Sequence, residues 1–348
     1  MTTRRNFTKL LTAAIGTLAV ATDVRRVRAV SGVRKPKRLF AGATVGIINP
    51  ASATFVRDDV DLVLDAMRGL GLVPKLGNHT RDRYGYFAGR DRDRAADINQ
   101  FFADPEVVAI LPIEGGWGSS RVLPYLDYNL IRQNPKILVG FSDITALLLG
   151  IYSQTNLITF HGPNGFTSWS PAQTDWFRRV LFDGEAMTFR NFRDPADNSR
   201  PMQTRYRWQT ITSGTARGRL FGGNLSVLSA IVGSPYVPNL DGGILFLEDV
   251  GEDIYRIDRM MTHLKLAGLF DRLSGFVFGQ CTRCDPGEGY GSLTLEEVVW
   301  DQIEPLGIPA WYGATIGHLE PIVTLPIGIE VELNADMGTI QILEAAVV

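Results

Sequence analysis

Gly140-Phe141-Ser142-Asp143 follows the apolar run Ile137-Leu138-Val139 and leads directly into Ile144-Thr145-Ala146-Leu147-Leu148-Leu149. A serine on a sharp turn between a buried strand and a helix stands exposed at the top of a sheet. The free N–H groups of the helix start favour negative charge beside it. Those are the requirements of a nucleophile that attacks a carbonyl. The G-x-S-x-G elbow of lipases uses such a turn, but Ile144 occupies its last position, so that motif is absent. Ser and Asp are also good helix N-caps. The residues alone therefore leave two roles open for Ser142, nucleophile or cap.

A serine hydroxyl is a poor nucleophile until a base accepts its proton. An imidazole with a pKa near ~6.5 can take and return that proton at neutral pH. The chain has four histidines, so each can be weighed. His79 lies in the polar turn Gly77-Asn78-His79-Thr80. His263 lies in a helical stretch. His161 follows a strand in Phe160-His161-Gly162-Pro163, and His318 follows Gly317. The two cysteines form Cys281-Thr282-Arg283-Cys284. A redox pair usually opens a helix, whereas this one precedes Asp285-Pro286. Zinc needs about four ligands, and there is no second pair. A structural disulfide, or no bond, is expected ahead of a metal site.

The elements that would position these groups are legible from periodicity. Thr44–Pro50, Val107–Pro112 and Ile137–Gly140 read as buried strands, and residues 56–70, 92–103 and 144–152 as helices. Repeated strand–helix units imply an α/β fold with a parallel sheet flanked by helices, which places ligands at the carboxyl ends of the strands. Residues 168–213 are polar, proline-containing and weakly periodic, and read as a connector. A second unit begins near Arg217, with strands at Gly243–Leu247, Gly275–Phe278 and Ile329–Leu333 and a helix at Ile257–Ala267.

The first residues have a different character. Thr3-Arg4-Arg5-Asn6-Phe7-Thr8-Lys9 precedes an uncharged stretch from Leu10 to Thr22, too short for the roughly 20 residues of a membrane span. This resembles a twin-arginine export signal. It predicts passage through the twin-arginine translocase to the periplasm or cell envelope, with cleavage after Ala21 or Ala29. The composition of the full chain is that of a soluble protein, 45% hydrophobic and 21% charged over 348 residues. A net charge of −2 offers no global field for a nucleic-acid backbone.

Gly115-Gly116-Trp117-Gly118-Ser119-Ser120-Arg121, Asn134-Pro135-Lys136-Ile137 and Gly140-Phe141-Ser142-Asp143 resemble the LD-carboxypeptidases, a family that includes the microcin C immunity peptidases. The likeness continues in order through Gly218-Arg219-Leu220-Phe221-Gly222-Gly223-Asn224-Leu225, Phe246-Leu247-Glu248-Asp249, Tyr255–Arg259, Gly317-His318 and Leu325-Pro326-Ile327-Gly328. It runs from about Gly42 to the C-terminus and favours the nucleophile role for Ser142.

The resemblance implies a Ser–His–Glu triad of Ser142, His318 and Glu248, with Asp249 and Glu252 as weaker candidates for the carboxylate. It implies an N-terminal parallel α/β domain (residues 40–167) and a C-terminal β-rich α+β domain (214–348), with no metal or cofactor. Glu248 ends the run Gly242-Gly243-Ile244-Leu245-Phe246-Leu247, where a carboxylate needs a partner against desolvation. An ion pair with Arg256 or Arg259 is its structural alternative. Gly116 and Asp143 N–H groups are the expected oxyanion donors, unless the glycines serve only a tight turn. His161 is expected to line the substrate pocket. Many relatives have Arg before Gly-Gly where this chain has Glu114, a residue that would repel a substrate carboxylate. The implied activity is hydrolysis before a terminal D-amino acid, removing D-Ala from peptidoglycan tetrapeptides. A detoxifying peptidase of the microcin C type and a catalytically silent muropeptide-binding protein are the alternatives. The expected partners are peptidoglycan-derived peptides, and a homodimer is a possible assembly.

Overall fold

The computed structural model describes residues 32–193, 195–287 and 291–348. The segment expected to be an export signal, residues 1–29, lies outside the described residues. No helix among them is long and apolar enough to cross a membrane.

In chain order the strands are β1 (Thr44–Ile48), β2 (Val73–Leu76), β3 (Val107–Pro112), β4 (Ile137–Gly140), β5 (Thr159–His161), β6 (Thr188–Arg190) and β7 (Gln209–Thr212). They continue with β8 (Thr215–Asn224), β9 (Ile244–Val250), β10 (Gly275–Thr282), β11 (Ala310–Tyr312), β12 (Leu325–Ile327), β13 (Glu330–Asn334) and β14 (Thr339–Ile342). The helices are α1 (Arg57–Gly69), α2 (Asp91–Ala103), α3 (Tyr128–Gln133), α4 (Thr145–Thr155), α5 (Pro171–Leu181), α6 (Leu225–Ile231), α7 (Ile254–Leu266) and α8 (Leu295–Ile303).

The first sheet has the order β12-β5-β4-β3-β1-β2. Its strands β1 to β5 pair in parallel, and β12 adds antiparallel to β5. Every residue of β4 is buried, as expected of a strand covered on both faces. The strand order reverses between β1 and β3, so the loops after β1, β3 and β4 open at one edge. The second sheet has the order β6-β14-β13-β8-β9-β10-β11-β7, with β8 to β11 parallel and the outer pairs antiparallel. The α/β expectation holds.

The stretch 168–213 is more than a connector. It contains α5 and both edge strands of the second sheet, β6 and β7. Edge strands of three or four residues are too short to show a period. Likewise β12, from the C-terminal half, completes the first sheet, so the chain crosses between sheets more often than the two-part reading allows.

Helix α4 explains how the sheets meet. It is buried from Thr145 to Tyr152, because it packs against β5 and β12 of the first sheet and against β8 and α6 of the second. A helix apolar all round has to lie between two layers. Its first residue, Thr145, accepts the backbone N–H of Asn224 through Oγ1 at 3.0 Å. Gly223 makes this approach possible. Its φ is 136°, and a Cβ there would lie 2.4 Å from Thr145 Oγ1. Gly223→Ala is therefore expected to cost roughly 2–4 kcal/mol through backbone strain and overpacking. Urea unfolding measures this, and a cost below ~0.5 kcal/mol would contradict the close α4–β8 contact.

Candidate active site

Ser142 opens a single 3-10 turn, Ser142–Ile144, that follows β4 and runs into α4. Its φ is 62°, a left-handed conformation rare for a residue with a side chain. The residue in the cap position is Phe141, and no side chain caps either that turn or α4. Asp143 instead accepts the Ser119 N–H at 2.7 Å, and Ser119 Oγ donates to the Asp143 carbonyl. Asn164 Oδ1 accepts the Phe141 N–H at 3.1 Å. The turn is thus held from both sides, and the Ser142 hydroxyl is spared from capping. Burial pushes the Asp143 carboxyl up despite its Ser119 hydrogen bonds.

The Ser142 hydroxyl meets His318. Oγ lies 2.9 Å from Nε2, and Nδ1 of the same ring lies 2.7 Å from Glu248 Oε2. With the proton on Nδ1, donated to Glu248, Nε2 is free to accept from the serine. Glu248 is on the inner strand β9 and has no exposed surface. Its alternative partners are engaged elsewhere: Arg256 lies 3.4 Å from Asp253, and Arg259 lies over the Tyr255 ring. Asp249 accepts Asn224 Nδ2 at 2.9 Å and Ser226 Oγ at 2.7 Å, which ties β9 to the start of α6. Glu252 lies 3.8 Å from Arg256. Neither backup carboxylate is bonded to His318.

The Gly115-Gly116 turn lies against the serine. A Cβ on Gly115 would stand 3.1 Å from Ser142 Cβ and 3.4 Å from the Asp143 nitrogen. The Gly115 carbonyl accepts Ser52 Oγ at 2.8 Å. Across a trans peptide the N–H opposes the carbonyl, so the Gly116 N–H turns away from Ser52.

Two expected substrate-binding residues behave differently. His161 does not line the pocket, because its side chain is fully buried. It belongs to β5, flanked by β4 and β12, and is covered by the rings of Phe246 and Phe141, with centroids at 5.3 and 6.3 Å. Burial, followed by the nearby His318, lowers its pKa to about 3. Glu114 is half-buried and accepts Thr54 Oγ1 at 3.1 Å, while Arg121 pairs with Asp91 at 2.9 Å instead. Burial raises the Glu114 pKa. His79 pairs with Asp82 at 2.7 Å and His263 lies 3.1 Å from Ser229 Oγ. Cys281 and Cys284 form a disulfide.

Beside the Gly-Gly turn, Tyr86 and Trp117 meet edge to face at 6.0 Å, and both are more than half exposed. With Phe87, Gly118, Ser120 and Arg121 they line a cavity of about 470 Å³. No local pattern in the sequence brings Tyr86 and Trp117 together, although Trp117 directly follows the two glycines.

Residues 45–162 match the family model of the LD-carboxypeptidase N-terminal domain, and residues 217–333 match that of the C-terminal domain. A probable murein peptide carboxypeptidase of Bacillus subtilis (strain 168) is 37% identical over 318 residues, covering 90% of this chain and 95% of that protein. The chain belongs to the LD-carboxypeptidase family. With that membership it is a serine-type carboxypeptidase. The microcin C7 self-immunity protein MccF of Escherichia coli is 34% identical over 279 residues, 74% of this chain and 80% of that one. The solved structure of MccF in complex with glutamyl sulfamoyl guanosine has a TM-score of 0.80 at 28% identity, covering 90% of this chain and 99% of that one.

The depressed His161 pKa has a consequence for stability. Protonation is resisted only in the folded state, so between about 3 and the ordinary 6.5 the unfolded chain binds the extra proton. This contribution is complete above 6.5 and is lost as pH falls through that window. At pH 5 the loss is about 2 kcal/mol. His161→Leu is therefore expected to show a shallower fall in unfolding free energy between pH 7 and pH 5 than the wild type. Parallel slopes in chemical denaturation would show that His161 already titrates normally in the fold.

Proposed function

We propose that this LD-carboxypeptidase hydrolyses the bond before the terminal D-alanine of peptidoglycan tetrapeptides, with Ser142, His318 and Glu248 as its catalytic triad. The observation that supports this most is the continuous chain of two hydrogen bonds from Ser142 Oγ through His318 to Glu248 Oε2, at 2.9 and 2.7 Å.

In this mechanism His318 Nε2 takes the Ser142 proton as Oγ attacks the carbonyl carbon of the scissile peptide bond. Glu248 stabilises the imidazolium through Nδ1–H. The developing oxyanion accepts the N–H groups of Gly116 and Asp143. The turned Gly115-Gly116 peptide and the closeness of Gly115 to the Asp143 nitrogen support that pair of donors. The tetrahedral intermediate collapses as His318 gives the proton to the departing D-alanine amine. Water, deprotonated by His318, then hydrolyses the acyl-Ser142 ester, and Ser142 regains its proton.

The likeness to MccF supports a second reading, in which the substrate is an aminoacyl sulfamoyl nucleotide of the kind bound in that structure. Both substrates can be assayed on the same protein by mass spectrometry. D-Alanine release from muramoyl tetrapeptide is expected. Turnover of the nucleotide alone would replace the first substrate by the second, and turnover of neither would sink both. Ser142→Ala and His318→Ala should each lower turnover on the order of 10³-fold or more, and Glu248→Gln less than either. Near-normal turnover of Ser142→Ala would remove the serine mechanism.

Glu114 bears on how the substrate carboxylate is read. It adjoins the Gly-Gly turn, and a carboxylate within ~6 Å of another is unfavourable at intermediate dielectric. Glu114→Arg should lower KM for the free-acid peptide while leaving its C-terminal amide unchanged, with little effect on kcat. Equal change in KM for the two peptides, or none, would assign Glu114 to the structural bond with Thr54 alone.

A further inference from the structure

The disulfide lies next to the triad. Cys281 and Thr282 end β10, where they run beside Asp249 and Val250 of β9, directly after Glu248. The register between these strands shifts between Phe278 and Cys281, opposite the stretch that holds Glu248. The main chain of Thr282 accepts the Gly251 N–H at 2.9 Å, and its side-chain hydroxyl donates to the His318 carbonyl at 2.9 Å. One residue therefore joins the strand that carries the carboxylate to the loop that carries the base.

The Cys281–Cys284 bond closes a ring around this residue. Within the ring Arg283 has a φ of 56°, a left-handed turn that a residue with a side chain rarely adopts. A loop with two residues between its cysteines removes little entropy from the unfolded chain. The effect of the bond is then local. It fixes the turn after Thr282 and with it the direction of the hydroxyl.

The loop that carries His318 hangs from the same strand at other points. Gln280 N–H donates to the Ile316 carbonyl at 2.9 Å, and Gln280 Nε2 donates to the Ala314 carbonyl at 3.2 Å. Those bonds anchor the loop before His318. The Thr282 hydroxyl is the anchor at His318 itself. A shift of the His318 main chain would move Nε2 off Ser142 Oγ and Nδ1 off Glu248 together.

We propose that Thr282, clamped by the Cys281–Cys284 disulfide, is a positioning residue for His318. It touches no reacting atom. It sets where the imidazole stands between Glu248 and Ser142. The inference rests on the serine-hydrolase reading of the site, and its test uses a reaction that needs no natural substrate.

A fluorophosphonate reacts when Ser142 Oγ attacks phosphorus, the P–F bond breaks, fluoride leaves and the serine proton passes to His318. The labelling rate of the intact disulfide-bonded protein, followed across pH and far below its melting temperature, reports the base directly. Thr282→Val, which loses the hydroxyl at nearly constant shape, should label about 10-fold more slowly on the high-pH plateau of the rate profile. Thr282→Ser, which keeps the hydroxyl, should return most of the rate. Cys281→Ser with Cys284→Ser should fall between wild type and Thr282→Val, and Thr282→Ala, which also loses the hydroxyl, stands in if Thr282→Val does not fold. Wild-type labelling rates in Thr282→Val, or equal slowing in Thr282→Ser, would overturn the positioning role. A wild-type rate in the double cysteine variant would remove the clamp. Absence of labelling in the wild type would instead overturn the serine-hydrolase reading on which the proposal stands.

Discussion

A carboxylate with no exposed surface needs a partner, because burying a bare charge costs far more than folding can spare. Glu248 meets that condition through His318 Nδ1 at 2.7 Å, and its other oxygen has no protein partner among the described residues. The imidazole is therefore the principal compensation for the charge. The same bond fixes the imidazole's tautomer and its orientation toward Ser142. In the proposed mechanism, stability and chemistry depend on this one hydrogen bond. The surrounding structure is arranged to allow it: the register shift in β10 opposite Glu248, and the loop that brings His318 back over β9.

The second requirement is that Ser142 and Glu248, on different sheets, come within reach of one ring. Helix α4 meets it. It starts at the serine turn and lies between the sheets, with Thr145 bonded to the end of β8. Asn224 at that end also bonds Asp249 and caps α6 by accepting the Val227 N–H at 3.1 Å. A short polar cluster thus sets the distance between Ser142 and Glu248, and Gly223 leaves the room for it.

Much of this was legible in the sequence because the decisive elements are long or strongly apolar. The run into Gly140-Phe141-Ser142 could only be a buried strand meeting a helix, and the resemblance supplied the two distant partners that no local pattern links to it. Other features were hidden for physical reasons. The edge strands β6 and β7 are too short to show alternation, so 168–213 read as a connector. His161 follows a strand in the sequence much as a pocket residue would. Only the pairing of β12 on its far side and the rings of Phe141 and Phe246 put it inside. The partner of Glu114 is Thr54, a contact between loops far apart in the chain, and sequence spacing does not report such contacts.

The proposed catalysis depends on the protonation pattern of one ring. Nitrogen-15 NMR of protein labelled at histidine measures it directly on the neutral ring, with assignment through His318→Ala. The account predicts that Nδ1 carries the proton, strongly deshielded by Glu248, that Nε2 is bare, and that the deshielded signal disappears in Glu248→Gln. A neutral ring protonated at Nε2 would leave Ser142 without a base and would contradict it.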